Sequence, residues 1–324
     1  SSSISSNSRS IFSSATFRNP CFYAYKYVRS IYRITNMSDF LKNRTRQPKL
    51  YIDLPSYGKF YSDGVVQDNT FSNLPVYGMN AMDEIMLKTP DALFTGESTV
   101  HIIKSCVPNI LDPWKLVGYD IDHVLLSIRI ATYGEKMPVV STCTKCSNEN
   151  NAEADLNKVL ETFLNLPIEN SAVIKDLQLN LTPLSYKQMT DFSHRQYALE
   201  KQLIQLSKQD SNDAIDKQKQ DILNQLTNLN LEVAVAYVSS ITEVNGSESE
   251  SDIQKIREFL FNNDAEFFNT LTAKVQEMSK ACRLPDFDSK CGDENCDNEY
   301  TTKLRVDYAS FFGSNSFRSR NLTF

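Results

Sequence analysis

No stretch of this 324-residue sequence comes near the ~18 consecutive apolar residues that a membrane-spanning helix requires, so no membrane partner is expected. Histidine is scarce. His101, His123 and His194 are scattered, and none stands at ligand spacing from another. There is no glycine-rich phosphate loop, no G-x-S-x-G elbow, and no carboxylate cluster that recurs at metal-ligand spacing, so nothing in the chain reads as an enzyme. Cysteine is limited to seven residues (Cys21, Cys106, Cys143, Cys146, Cys282, Cys291 and Cys296). They are too few and too uneven for a disulfide-stapled scaffold, and reduced, metal-binding thiols are expected instead. Basic charge falls short as well, at 34 Lys and Arg against 40 Asp and Glu, for a net charge of −6. The shortfall is concentrated. Residues 1–36 hold Arg9, Arg18, Lys26, Arg29 and Arg33 with no acidic residue, which leaves −11 on the rest. An acidic body does not favour nonspecific nucleic-acid binding, because that depends on neutralising phosphates with Lys and Arg.

What is present begins with a core: 41% hydrophobic and 23% charged residues describe a globular chain, long enough for one large domain or two ordinary ones. The feature around which it is organised is Cys143-Thr-Lys-Cys146, a short knuckle able to aim two sulfurs at one ion. A second unit, Cys291-Gly-Asp-Glu-Asn-Cys296, lies near the C-terminus, with Cys291 145 positions beyond Cys146. Four thiolates are the tetrahedral set that suits a structural zinc ion, and they leave no open position for a reacting water. The alternative is two unrelated pairs of free thiols. Cys282 stands close enough in sequence to compete as a ligand.

Taken in order, residues 1–36 are Ser-rich, basic and aromatic, and are set apart from the fold. They read either as an organellar transit peptide or as sequence upstream of a start at Met37. Residues 37–142 are expected to form an α+β domain. It opens with a strand, a Pro-Ser-Tyr-Gly turn and a second short strand from Lys49 to Tyr61. A helix over 80–88 places Met82, Ile85 and Met86 at core spacing; another follows Thr95-Gly-Glu-Ser, with Val100, Ile103 and Val107 inward and His101 outward. Asp112-Pro-Trp114 reads as a helix start. Residues 120–132 form the most hydrophobic helix, with Ile121, Val124, Leu125 and Ile128 on its main face, His123 and Arg129 off it, and Gly134 as its stop.

Strand, knuckle, strand surrounds Cys143 and Cys146, and Leu304, Val306 and Tyr308 alternate as a strand after Cys296. Residues 143–170 with 284–310 therefore read as a small β, zinc-ribbon-like element, whose two halves enclose a helical insertion at 171–283. Within the insertion, a strand near 174–181 precedes Leu199, Leu203 and Leu206, then Ile215, Ile222, Leu226 and Leu229. These mark an antiparallel helical hairpin or one long bent helix. Helices with Ile253, Ile256, Phe259 and Leu260, and then Phe267, Phe268, Leu271 and Val275, complete it. Residues 311–324 are an aromatic, basic tail. The fold class is α+β, with a mainly helical body.

Three ordered features resemble the baseplate hub assembly family of T-even-type contractile-tailed phages: Ile52-Asp-Leu-Pro-Ser-Tyr-Gly, the run from Asp120 to Glu135 (Asp-Ile-Asp-His-Val-Leu-Leu-Ser-Ile-Arg-Ile-Ala-Thr-Tyr-Gly-Glu), and Cys143-x-x-Cys146. The resemblance covers about a third of the chain. It implies a non-enzymatic role in tail morphogenesis, with other phage tail and baseplate hub proteins as partners, located in the host cytoplasm during assembly or in the virion tail baseplate. The competing class is a zinc-ribbon nucleic-acid-binding or transcription-related protein. For that reading Lys145, Lys290, Lys303 and Arg305 are diluted by Asp293, Glu294, Asp297 and Glu299.

Overall fold

A computed structural model describes residues 45–87, 95–165, 168, 170–209, 212–246, 248–281, 287–302 and 317–318. The chain divides into units Ser1–Gln47 and Pro48–Phe324. Of the first, only residues 45–47 are described, and there the Gln47 side-chain amide donates to the Thr45 carbonyl. The second is α+β and holds two hydrophobic cores and a small cluster of thiols.

The first core is built around α3 (Gly118–Tyr133), reached through β1 (Pro48–Ile52), β2 (Leu74–Tyr77), α1 (Ala81–Leu87) and α2 (Glu97–Cys106). Helix α3 is apolar on nearly every side: Tyr119, Ile121, Val124, Leu125, Leu126 and Ile128 are all buried. A helix with so broad an apolar surface has to be surrounded. The antiparallel β1–β2 pair supplies Ile52, Leu74 and Val76, α2 supplies Ile102, Ile103 and Cys106, and α4 (Leu156–Leu164) supplies Leu156, Val159 and Phe163. Gly78 lets the end of β2 lie against α3; a Cβ there would stand 2.9 Å from the Ala131 carbonyl oxygen. The helix stops at Gly134, whose φ of 92° suits glycine alone among ordinary residues.

Several local expectations change here. His123 and Arg129, off the main stripe, are both buried, because α3 is covered on all sides. Burial pushes the His123 imidazole down to about 4, so it is neutral at physiological pH, edge-on to Phe163. In α1 the buried positions are Asp83 and Leu87, whereas Met82 and Ile85 face solvent; this short helix meets α2 through its Asp83 side. Asp83 accepts hydrogen bonds from the Asn80 amide and the Ser105 hydroxyl, and half-exposed His101 lies 3.5 Å from it. Residues 113–115 make only a single 3-10 turn, from which Trp114 stacks on Tyr186. Residues 55–60 are turn and Tyr61 is irregular, without the second strand.

That turn is held by a buried carboxylate. Asp120 accepts from the Ser56 amide (2.9 Å), the Ser56 hydroxyl (2.5 Å) and the Tyr61 hydroxyl (2.5 Å), and Tyr61 in turn accepts from the Val117 amide (3.0 Å). Burial outweighs these bonds and pushes the Asp120 carboxyl up to about 6.

The second core lies wholly inside the stretch between the two cysteine pairs. Strands β5 (Ser171–Ile174), β6 (Leu177–Leu181), β7 (Val238–Glu243) and β8 (Ser249–Glu250) form an antiparallel sheet in that order. Helices α7 (Ile253–Asn262) and α8 (Ala265–Ala281) cover it with Ile256, Leu260, Phe267, Leu271 and Val275. Between β6 and β7 rise α5 (Tyr186–Ser207) and α6 (Asp213–Tyr237), two separate antiparallel helices rather than one bent rod. Ser185 and Gln188 cap α5 reciprocally, and the Asn212 side chain caps α6. Glu232 on α6 joins Arg195 on α5 (2.6 Å) and Arg257 on α7 (3.4 Å).

The sheet makes the insertion less purely helical than its periodicity implies. Strands β7 and β8 escape sequence reasoning because Val238-Ser-Ser-Ile-Thr-Glu is short, and it pairs with a strand some sixty positions earlier. Cys282, the 303–308 alternation and the 1–36 stretch lie outside the described residues.

Candidate metal centre

Each cysteine pair occupies the turn of a two-stranded antiparallel hairpin. Strands β3 (Lys136–Thr142) and β4 (Glu149–Asp155) pair from Lys136–Asp155 up to Thr142–Glu149, and Cys143 and Cys146 sit in the turn above them. Ser147 takes a left-handed φ of 59°, which closes that turn with the Ser147 amide donating to the Cys143 carbonyl and the Cys143 amide to the Asn148 carbonyl. Strands β9 (Phe287–Lys290) and β10 (Glu299–Thr302) form the other hairpin. Its turn is closed by the Cys291 amide to the Asn298 carbonyl and the Cys296 amide to the Asp293 carbonyl. A further two-residue strand, β11 (Phe317–Arg318), lies parallel to β3 at Val139 and Val140.

The hairpins face each other turn to turn. All four predicted sulfurs, from Cys143, Cys146, Cys291 and Cys296, lie within 4.8 Å of one another. The Cys143–Cys296 and Cys146–Cys291 separations are 3.9 Å and 3.5 Å. Thiolates at ~2.3 Å from one tetrahedral ion stand about 3.8 Å apart, so the set has the dimensions of a four-sulfur site. The separations are well beyond the ~2.05 Å of a disulfide, and all four are free thiols. Cys143, Cys291 and Cys296 are buried, and Cys146 is exposed.

The surroundings favour thiolate at Cys143. Cys143 Sγ accepts from the Lys145 amide (3.4 Å) and the Asn298 side-chain amide (3.4 Å). The Cys146 amide and these donors hold the Cys143 thiol down at about 6. For Cys146 the Asn148 amide pulls the same way, but local desolvation of the sulfur and the neighbouring sulfurs of Cys291, Cys296 and Cys143 prevail and push it up to about 12. One thiol of the cluster ionises readily and another resists, as like charges crowded together must; a dication removes that resistance. The donor set fits a soft or borderline divalent metal. Four protein ligands would close the coordination sphere of such an ion, and the chemistry it would supply is cross-linking of the two hairpins.

Four side chains that sequence reasoning passed over, Asn150, Tyr300, Ser141 and Asn298, complete the centre. Asn150 on β4 accepts from the Gly292 amide (2.7 Å) and donates to the Tyr300 hydroxyl (2.8 Å), which also bonds Ser141 (2.7 Å). Asn298 reaches back to Cys143 and to the Thr144 hydroxyl (3.2 Å). The one available signal was an asparagine shortly after each cysteine pair. Cys106, by contrast, belongs to the first core, where its sulfur lies 3.8 Å from Asp83, and no histidine approaches the cluster among the described residues.

A family model for the T4 bacteriophage base plate protein matches residues 76–313, a span that contains both cysteine pairs and most of both cores. The chain belongs to that family. This T4-type baseplate protein is thus a component of a phage tail structure, and its partners are other phage proteins. No curated protein and no solved structure matches it. No helix among the described residues is long and apolar enough to cross a membrane.

Proposed function

We propose that this baseplate protein acts in the assembly or architecture of the baseplate hub, without catalysis, and that Cys143, Cys146, Cys291 and Cys296 hold one structural zinc ion. The family match over residues 76–313 carries the baseplate reading. The hub is supported by the order of features shared with the hub assembly family, from Ile52-Asp-Leu-Pro-Ser-Tyr-Gly to the first cysteine pair. Zinc is supported by four sulfurs of the right number, spacing and chemistry. A protein that works through contacts needs rigid surfaces rather than reactive groups, and a cross-link between distant parts of the chain provides rigidity. Its acidic net charge suits protein partners better than phosphates.

The experiment is a tagged chain expressed during infection, with hub and wedge subassemblies separated and each analysed by mass spectrometry and metal analysis. Enrichment with hub subassemblies and about one zinc per chain is expected. Enrichment with wedges would remove the hub reading, tight salt-sensitive binding to nucleic acid would favour the competing class, and folded metal-free protein from zinc-replete cells would remove the zinc.

A further inference from the structure

The two halves of the metal centre are distant in sequence, with Cys146 and Cys291 145 positions apart, yet their sulfurs lie 3.5 Å from each other. The bonds that cross between the hairpins follow a reciprocal pattern. Asn150 belongs to the first hairpin and binds the second: its Oδ1 accepts from the Gly292 amide (2.7 Å), and its Nδ2 donates to Tyr300 (2.8 Å) and approaches Cys291 Sγ (3.8 Å). Asn298 belongs to the second and binds the first: its Nδ2 donates to Cys143 Sγ (3.4 Å) and to Thr144 (3.2 Å). Each asparagine thus holds the opposite turn beside its sulfurs. Asn150, Ser141 and Tyr300 are buried, so the bonds among these three are shielded from competing water, whereas Asn298 is partly exposed.

We propose that Asn150 and Asn298 are reciprocal positioning residues, which dock the two cysteine turns against each other before an ion binds. This rests on the metal-centre reading above and deepens it. The ion then meets four sulfurs already gathered, so closing the long intervening stretch of chain falls on folding rather than on metal binding. An aspartate at either position is nearly isosteric but cannot donate, and it sets a negative charge beside thiolates. Outer-shell partners of metal ligands commonly change affinity by about 10–100-fold, and a loss of that order is expected for Asn150→Asp and for Asn298→Asp.

Two measurements on the full-length chain test this, with wild-type far-UV circular dichroism required of each variant. The first is cobalt(II) titration, which reads affinity and the sulfur-to-metal charge-transfer bands of a tetrahedral thiolate site. Wild type should bind tightly with those bands, and each variant about 10–100-fold more weakly. The second uses chelator-stripped protein treated with diamide, which takes two electrons and two protons from each pair of thiols; the disulfides formed are mapped by mass spectrometry. Docked turns give the cross-hairpin pairs Cys143–Cys296 and Cys146–Cys291. The Asn150→Ala/Asn298→Ala double variant should shift to the local pairs Cys143–Cys146 and Cys291–Cys296. Local pairs in wild type, or variants that bind cobalt as tightly as wild type, would overturn the positioning role. Failure of wild type to bind cobalt at all would remove the metal reading, while the disulfide map would still report on docking.

Discussion

Substituting Asp120 by asparagine tests the buried lock between α3 and the 55–61 segment, and its effect should depend on pH with a definite sign. The wild-type carboxyl titrates near 3.8 when unfolded and at about 6 in the fold, because burial outweighs the bonds from Ser56 and Tyr61. Between those values the folded protein holds a proton that the unfolded chain has released. This contribution to stability is therefore complete below about 3.8 and is lost as pH rises through about 6. A difference of roughly two pKa units corresponds to about 3 kcal/mol in total, and about half of it, on the order of 1–2 kcal/mol, is lost between pH 5 and 8. The asparagine side chain of the variant has no such titration. Its amide also meets two hydroxyls, Ser56 and Tyr61; Tyr61 already accepts from Val117, so the phenol hydrogen loses its acceptor at a cost of about 1–3 kcal/mol. Urea denaturation of both proteins at several pH values across this window gives the difference directly, and other carboxylates largely cancel. The stability margin of wild type over Asp120→Asn should be larger at pH 5 than at pH 8 by about 1–2 kcal/mol. A margin constant to within ~0.5 kcal/mol would refute the burial of the charge, since that is the scale of surface substitutions.

Leu125→Ala removes a fully buried side chain from the centre of the first core, and urea denaturation should show a loss of about 2–5 kcal/mol; a loss under ~0.5 kcal/mol would place α3 elsewhere. Cys143→Ser should raise amide hydrogen exchange in β9 and β10, although the substitution lies at the other end of the centre, while α3 keeps its protection; unchanged β10 protection in metal-loaded samples would mean the two pairs share no ion. Glu232→Gln breaks a network at the hairpin base whose members are all partly solvent-exposed, so its effect in a denaturation series should stay below about 1 kcal/mol, and a larger loss would show that the pairs act as a buried lock.

Much of this protein is determined by local sequence. The 3.6-residue spacing of Val100 and Ile103, or of Ile256 and Leu260, specifies which face of a helix must find cover. Ser185 with Gln188, Asn212 and Gly134 mark helix ends through bonds and dihedrals confined to a few residues. The two cysteine pairs likewise announce a four-thiolate set through spacing alone, since a turn of that length can present two sulfurs by itself. What spacing does not contain is any relation between groups far apart in the chain. Tertiary structure decided that the pairs meet, because only the folded β3–β4 and β9–β10 hairpins bring sulfurs 145 positions apart to 3.5 Å. It decided that Asp120, His123 and Arg129 are buried, because a polar residue on a helix is exposed or covered according to what surrounds the helix. It decided that β7 pairs with β6 across the whole α5–α6 hairpin, because strand pairing is a bond between distant backbones and leaves almost no mark on either strand alone.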